Sequence, residues 1–426
     1  METLVSKRRF AHFAAVGKVG RRRSGQIFFP LLRRGNLYKI RKARRLGERP
    51  SKLSQWEREM AMFKQITAAF RRDVVLTVSL VLAASSCFLA PPSGAYLSYI
   101  DFNTLIILFC LMLIVEGLRR QRFLQYVAGR VLGQVGTVRG LVCTLVFLCF
   151  VSSMLITNDV ALITFVPFGI MVLEMADQRE RVCYTVTLMT IAANLGSMFT
   201  PIGNPQNLYL FSLAGLDIPS FLRLTGPYTL GAAVLLLAAI FFGYKQSELY
   251  IEVGKSDPLD KRAIAFFGVL FLLCVLTVAG FIPHEALFVV VTLALLLRSR
   301  ELFAGVDYSL IFTFVFFFIF VGNLKHLTAV ENWIAGMMAG HDRLVGVLVS
   351  QVISNVPAAM LLSGYSENLR ELIVGVNLGG LGTLIASMAS LISYKQVANR
   401  YPQEKQKYLL LFTILNVAFL VLLYWI

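Results

Sequence analysis

Long apolar blocks separated by short basic stretches organise the chain from Val74 onward. Val74–Ile100, Val182–Leu216 and Tyr408–Ile426 contain no charged residue. About 20 apolar residues cross a bilayer as a helix. On that measure the pattern predicts nine spanning helices, over roughly 74–90, 101–118, 182–212, 219–243, 263–280, 283–297, 307–324, 372–394 and 408–426. Two further blocks, 140–175 and 343–366, read as re-entrant hairpins. The first carries one charge between residues 140 and 173, Asp159, inside a central Thr157-Asn158-Asp159 cluster. Such a cluster is costly in lipid. Two half-helices meeting there would turn it toward protein or a water-filled cavity. Both flanks are basic, and two full spans would need about 40 residues. In the second block, Ser354-Asn355-Val356-Pro357 interrupts an uncharged run, because proline removes a backbone donor and clashes with the preceding turn. The alternative there is one kinked span.

Positive charge orients this layout. With the N-terminus in the cytoplasm, 37 of the 41 Lys and Arg fall on inside segments; only Arg223, Lys325, Arg343 and Arg370 lie outside. Twenty of those 37 belong to residues 1–72, yet 17 against four still favour the same orientation without them. The C-terminus then lies outside, and the expected location is the inner (plasma) membrane. The formal charge of +17 is concentrated the same way: residues 1–72 hold 20 basic and four acidic residues, +16 of the total. This segment, with its runs Arg21-Arg22-Arg23 and Lys39 to Arg45, reads as a disordered cytoplasmic extension suited to an anionic leaflet, or as a stretch upstream of a start at Met60 or Met62. The remainder is close to neutral, so nucleic acid is not an expected partner. The six cysteines all fall in apolar blocks without CxxC pairs and read as small buried hydrophobes.

Three elements recur in the same order. Asp101 to Arg120 aligns without gaps to Asp307 to His326; Thr157-Asn158-Asp159-Val160-Ala161 matches Ser354-Asn355-Val356-Pro357-Ala358; and Asn194 to Ile202 matches Asn377 to Ile385, with five of nine residues identical. The charge-derived topology sends 101–118 and 307–324 in opposite directions, so the repeats are inverted. The fold expected is an all-α integral-membrane, inverted-repeat transporter with nine spans, two re-entrant hairpins and two discontinuous helices. Residues 73–243 form the first repeat, 244–262 a cytoplasmic linker and 263–426 the second repeat. Residues 120–132 and 325–340 read as equivalent amphipathic connectors.

The chemistry concentrates where the apolar helices break. Asn194-Leu-Gly-Ser-Met-Phe-Thr-Pro-Ile-Gly-Asn-Pro-Gln-Asn207 carries Gly196, Pro201, Gly203 and Pro205, all helix breakers. A break frees N–H groups that can hold an anion. It also frees carbonyls that, with Ser197, Thr200, Asn204 and Asn207 alongside, can ligate a cation. Asn377, Gly379, Gly380, Gly382 and Thr383 offer the same parts in the second half. Asp159 is an intramembrane acid and so a candidate carrier of a proton or cation. Glu116, beside Arg119 and Arg120, and Glu285, beside His284, read as interfacial pairs.

Thr157-Asn158-Asp159-Val160-Ala161-Leu162 with Val166-Pro167, the Asn194–Asn207 loop, and Ser354-Asn355-Val356-Pro357 resemble the ion transporter superfamily. The likeness is nearest to its citrate-transporter-like group, which includes arsenical permeases and divalent-anion/sodium symporters, and it covers about residues 74–426. The resemblance implies that Thr157, Asn158, Asp159, Ser354, Asn355 and Pro357 at the tips line a substrate and coupling-ion site with the two loops, Na+ being the cation expected at Asn158, Asn194, Asn355 and Asn377. Sodium-coupled dicarboxylate members look like Ser-Asn-Thr at both tips, from which this chain departs.

The function expected is secondary active transport of a small anion, an inorganic oxyanion or a carboxylate, coupled to Na+ or H+ and with no other cofactor. A Na+/H+ antiporter on the same architecture is the alternative, followed by a passive channel. Expected partners are the small anion and the lipid bilayer, with a homodimer as the candidate assembly. An enzyme is not expected: the chain has four His, and no HExxH, GxSxG or P-loop.

Overall fold

The computed structural model describes residues 73–248, except Leu89, Ser93 and Ala95, and residues 259–426. The basic tail and most of the central linker lie outside the described residues. Helices dominate throughout. The first half contains α1 (Val74–Ser86), α2 (Phe102–Arg120), α3 (Phe123–Leu132), α4 (Val138–Ile156), α5 (Asn158–Met175), α6 (Val182–Ser197), α7 (Pro205–Leu213) and α8 (Ile218–Gly243). The second contains α9 (Lys261–Val278), α10 (His284–Arg298), α11 (Tyr308–Leu324), α12 (Thr328–Met338), α13 (Asp342–Ile353), α14 (Asn355–Ser363), α15 (Leu369–Leu378), α16 (Met388–Arg400) and α17 (Lys405–Tyr424).

Among the described residues, six helices are long and apolar enough to cross a membrane: α2, α4, α5, α8, α9 and the stretch Pro402–Tyr424. A seventh arises if α11 and α12, bent by 105° at Lys325–Leu327, count as one. This differs in detail from the nine spans expected, two of them discontinuous. The expected span at 74–90 is a 13-residue helix and that at 283–297 is a 15-residue helix. The spans at 182–212 and 372–394 are each two helices parted by a non-helical break. The arms of the first hairpin, α4 and α5, have 19 and 18 residues and each passes as a span by length. Together they run from 138 to 175, two residues more than the predicted block, with the turn taking only Thr157. The arms of the second hairpin, α13 and α14, have 12 and nine residues.

The two halves repeat in detail. Asp101 and Asp307 cap α2 and α11 in one geometry, accepting from Thr104 N (3.1 Å) and Leu310 N (3.2 Å) at φ/ψ of −79°/88° and −81°/82°. Each cap satisfies a backbone donor that the helix cannot. The hairpins turn at Thr157 (φ 71°, ψ 150°) and Ser354 (φ 76°, ψ 153°). That region is nearly exclusive to glycine and costs about 1–3 kcal/mol per residue, so its appearance twice marks a constrained turn. The connectors α3 and α12 both form where amphipathic helices were expected.

Packing interlocks the halves. Within each half the first hairpin arm lies on the helix that enters the break, α4 on α6 and α13 on α15. Between halves, the second arm lies on the helix that leaves the other break, α5 on α16 and α14 on α7. Likewise α1 packs on α11, while α9 and α10 pack on α2. Two apolar cores result. One joins α4, α5, α6 and α8 to α16 and α17; the other joins α2 and α7 to α9, α10, α11, α14 and α15. All six cysteines are free, four of them buried. Glu116 pairs with Arg119 (2.6 Å) and Arg120 (2.8 Å), more buried than an interfacial acid is expected to be, under Gly305. His284 meets Glu285 at 3.2 Å.

Glycine allows the closest approaches. A Cβ on Gly196 would run into Phe150 O and Ser153 Oγ; one on Gly379 would lie 2.7 Å from Ser350 Oγ. Ser153 and Ser350 each stand four residues before their tip. Gly196→Val and Gly379→Val are therefore expected to destabilise the protein by about 1–3 kcal/mol each through overpacking. Gly268→Val, at a site with open space around it, should not. Thermal unfolding of purified protein in detergent checks both.

Candidate functional site

Four interruptions of helix, the tips at Thr157 and Ser354 and the breaks at 198–204 and 379–387, converge on a layer of amide and hydroxyl side chains. The physical demand on this layer is the backbone. Each break strands carbonyls and N–H groups away from water, and each group left unpaired costs energy.

In the first break one side chain meets much of that demand. Asn207 Nδ2 reaches Ser197 O (3.3 Å), Met198 O (3.1 Å) and Thr200 O (3.1 Å). Thr225 of α8 donates to Phe199 O at 2.9 Å. Asn204 caps α7, accepting from Asn207 N at 2.9 Å, with Pro205 in the first turn where its missing N–H does no harm. In the second break the hairpin supplies the amide. Gln351 Nε2 donates to Gly379 O and Leu381 O at 2.9 Å each, and its Oε1 accepts from Thr383 N at 2.9 Å. Asn355 N donates to Ala386 O at 2.9 Å.

Each loop is also tied to its own tip by one repeated bond. Thr200 Oγ1 donates to Met154 O, and Thr383 Oγ1 donates to Gln351 O at 3.1 Å. Met154 and Gln351 both stand three residues before their turns.

The asparagines cross between the halves. Asn194 Oδ1 accepts from Asn158 Nδ2 (3.0 Å) and from Ser387 Oγ (3.1 Å), and Asn194 Nδ2 reaches Gly380 O (3.4 Å) and Ser390 Oγ (3.5 Å). Asn377 Oδ1 accepts from Asn204 Nδ2 (3.0 Å), and Asn377 Nδ2 donates to Asn207 Oδ1 (2.6 Å) and Ile373 O (2.8 Å). Ser387 and Ser390 follow Asn377 by ten and thirteen residues; Asn204 and Asn207 follow Asn194 by the same intervals. Each central asparagine thus binds the same two positions of the opposite half.

Of the predicted site residues, Asn158, Asn194, Ser197, Asn204, Asn207 and Asn377 join this network directly, and Thr200 and Thr383 brace its loops. Gly380 accommodates the Asn355 amide, Gly203 lies against Ser197, and Gly382 turns at φ 104° beside Gln351. Pro201 and Pro357 are buried at a break and a tip. Of the four asparagines expected around Na+, Asn158 bonds Asn194, Asn377 bonds Asn204 and Asn207, and Asn355 lies against Gly380, whose carbonyl Asn194 also reaches. Among the described residues no group of His, Cys, Asp or Glu could hold a metal. Asp159 follows Asn158 in the first turn of α5, its N–H donating to Asn158 Oδ1 at 3.0 Å. A carboxylate there faces the positive end of the helix dipole. The second tip has Val356 in its place. Sequence reading missed Gln351, Ser387, Ser390 and Thr225. Extending the repeat by five residues beyond Ile385 would have found the two serines. Gln351 had a signal too, as the one amide side chain in the uncharged stretch Leu344–Ile353.

A model of the citrate transporter family matches residues 60–370. This chain belongs to that family. It is therefore a multi-pass membrane transporter rather than an enzyme. The matched stretch takes in the first tip, the first break and the second tip. An uncharacterized transporter of Methanocaldococcus jannaschii is 32% identical over 299 residues, 70% of this chain and 81% of that one. Inner membrane protein YbiR of Escherichia coli is 28% identical over 304 residues, 71% of this chain and 81% of its own. A silicon efflux transporter of Oryza sativa is 30% identical over 171 residues, 40% of this chain and 34% of that protein.

The cross-braces make a stability prediction. Asn377→Ala would leave the Asn204 cap on α7 intact but strip the Asn204 and Asn207 amides of their cross-half partner. A buried polar group losing its partner costs about 1–3 kcal/mol. We expect Asn377→Ala to lower the unfolding temperature clearly. In a double-mutant cycle, Asn194→Ala and Ser387→Ala should be non-additive, as residues in one network are. Additive effects would show that the bond carries no coupling.

Proposed function

We propose that this family member is a secondary active transporter of a small anion, an inorganic oxyanion or a carboxylate, coupled to Na+ or H+. The observation that carries the reading is the convergence of two tips and two breaks on one buried amide layer, with Asp159 as the acid at its edge. In this reading the halves are inverted repeats, and the hairpins at 140–175 and 343–366 enter and leave on one side. The N-terminus faces the cytoplasm and the C-terminus the outside. Broken helices meeting between inverted repeats are an alternating-access architecture.

The donors available narrow the substrate. The hydrogen bonds of the tip and break residues among the described residues run to amides, hydroxyls and backbone, none to Lys or Arg. Helix N-termini and amides suit a small oxygen-rich solute of low charge better than a tricarboxylate, whose three charges would each need a partner. This favours the inorganic oxyanion over the carboxylate, a preference consistent with the name of the rice relative, a silicon efflux transporter. Asp159 is the coupling residue: it takes up the driving cation or proton beside the substrate and releases it on the other face. Its presence also supports the second reading, Na+/H+ antiport, in which the same carboxylate exchanges the two cations.

Uptake into proteoliposomes under imposed Na+ or H+ gradients, across inorganic and carboxylate anions, tests this. The expected result is gradient-driven uptake of one small oxyanion that falls roughly ten-fold or more in Asp159→Asn, the intramembrane acid being the functional group. Asp159-dependent pH changes on adding Na+, with no anion carried, would overturn it in favour of antiport. Uptake indifferent to every gradient would point to a passive pathway.

A further inference from the structure

A groove of about 530 Å3 opens between the base of the first hairpin and the end of α8, at the opposite end of α4 from the Thr157 tip. Its walls are Cys143, Leu237, Phe241 and Phe242, and its polar end is Arg139 with Gln246. Phe242 is 85% and Phe241 58% exposed, as suits side chains that meet acyl chains.

Arg139 is held in place from two sides. Its Nε and Nη2 donate to Tyr244 O at 3.0 and 2.7 Å, and its guanidinium lies 4.4 Å from the Phe241 ring centre. Two of its five N–H groups serve that carbonyl, which leaves three for a ligand. Among the described residues it makes no ion pair with a carboxylate. Further positive charge is close by: Arg181 stacks on the Tyr244 ring at 5.5 Å and donates to Gly243 O at 3.4 Å, and Lys245 follows Tyr244. Two acids lie near along the chain, Glu180 next to Arg181 and Glu248, whose backbone bridges to that of Thr137.

We propose that this groove binds an anionic phospholipid, its phosphate on Arg139 and Gln246 and an acyl chain along Leu237, Phe241 and Phe242. The charge and the walls together select the occupant. A fixed guanidinium matches a phosphate, the basic rim belongs at the membrane surface, and a soluble anion would leave the apolar walls uncovered. A lipid there bridges the first hairpin to α8, two elements that also contact directly and through α6.

Cys143 in the wall is a half-buried free thiol and provides the readout. Purified, delipidated full-length protein is treated with N-ethylmaleimide, and each cysteine is followed by peptide mass spectrometry. Phosphatidylglycerol at ten times its dissociation constant should slow labelling of Cys143 about ten-fold by mass action. Labelling of Cys87, outside the groove, should be unchanged. Phosphatidylcholine and glycerol phosphate should protect little. Arg139→Gln should abolish the difference between the two lipids, and Arg139→Lys should restore part of it. Should Arg139→Gln fail to fold, since Arg139 also holds the carbonyl at the end of α8, Gln246→Ala serves instead and should weaken protection. Equal protection by both lipids, protection by glycerol phosphate alone, or protection unaltered in these variants would each overturn the proposal.

Discussion

A helix broken inside a membrane has to find partners for the peptide groups it exposes, and the structure is organised around that requirement. Water and lipid cannot meet it, so side-chain amides do. Asn207 serves three carbonyls of its own break, and Gln351 serves two of the other while its oxygen receives Thr383 N–H. Small residues are the counterpart. Gly196 and Gly379 let the helices entering the breaks approach the hairpins closely enough for these amides to reach. The apolar cores then pack on a framework whose polar groups are already paired.

The two breaks solve the problem by different means on one backbone plan. The first is largely self-sufficient, through Asn207; the second relies on its hairpin and on Asn194 of the first half. The tips differ in the same spirit. Their turns agree within a few degrees, yet one leads into a carboxylate and the other into Val356-Pro357. Symmetry therefore belongs to the scaffold and asymmetry to the chemistry.

Much of this was legible beforehand. Thr157-Asn158-Asp159 and Ser354-Asn355-Val356-Pro357 announced tips because polar residues in an apolar block need a reason. Gly196, Pro201, Gly203 and Pro205 announced a break because so many helix breakers within ten residues disfavour one continuous helix. The order of repeated elements followed from three matches, at Asp101 and Asp307, at the two tips, and at Asn194-Leu-Gly and Asn377-Leu-Gly. What escaped was partnership across distance. Ser387 and Ser390 keep the register of Asn204 and Asn207 but not their residue type, so matching by identity stopped short of them, and their bonds appear only when the opposite half is folded against them. The division of 182–212 and 372–394 was foreseen from their glycines and prolines, whereas the 19- and 18-residue lengths of α4 and α5 make the first hairpin's arms longer than half-helices.

The exchange of braces bears on how the protein is made. Asn194 waits for Ser387 and Ser390, and Asn204 and Asn207 wait for Asn377. Nearly two hundred residues of chain must still be synthesised after Asn194 before these partners emerge. During that interval Asn194, Asn204 and Asn207 have only their partners within the first half, and their groups meant for the second half stay uncommitted. These groups must be shielded by the insertion machinery or by transient water, and a ribosome stalled before Asn377 would leave a half-protein unable to complete itself.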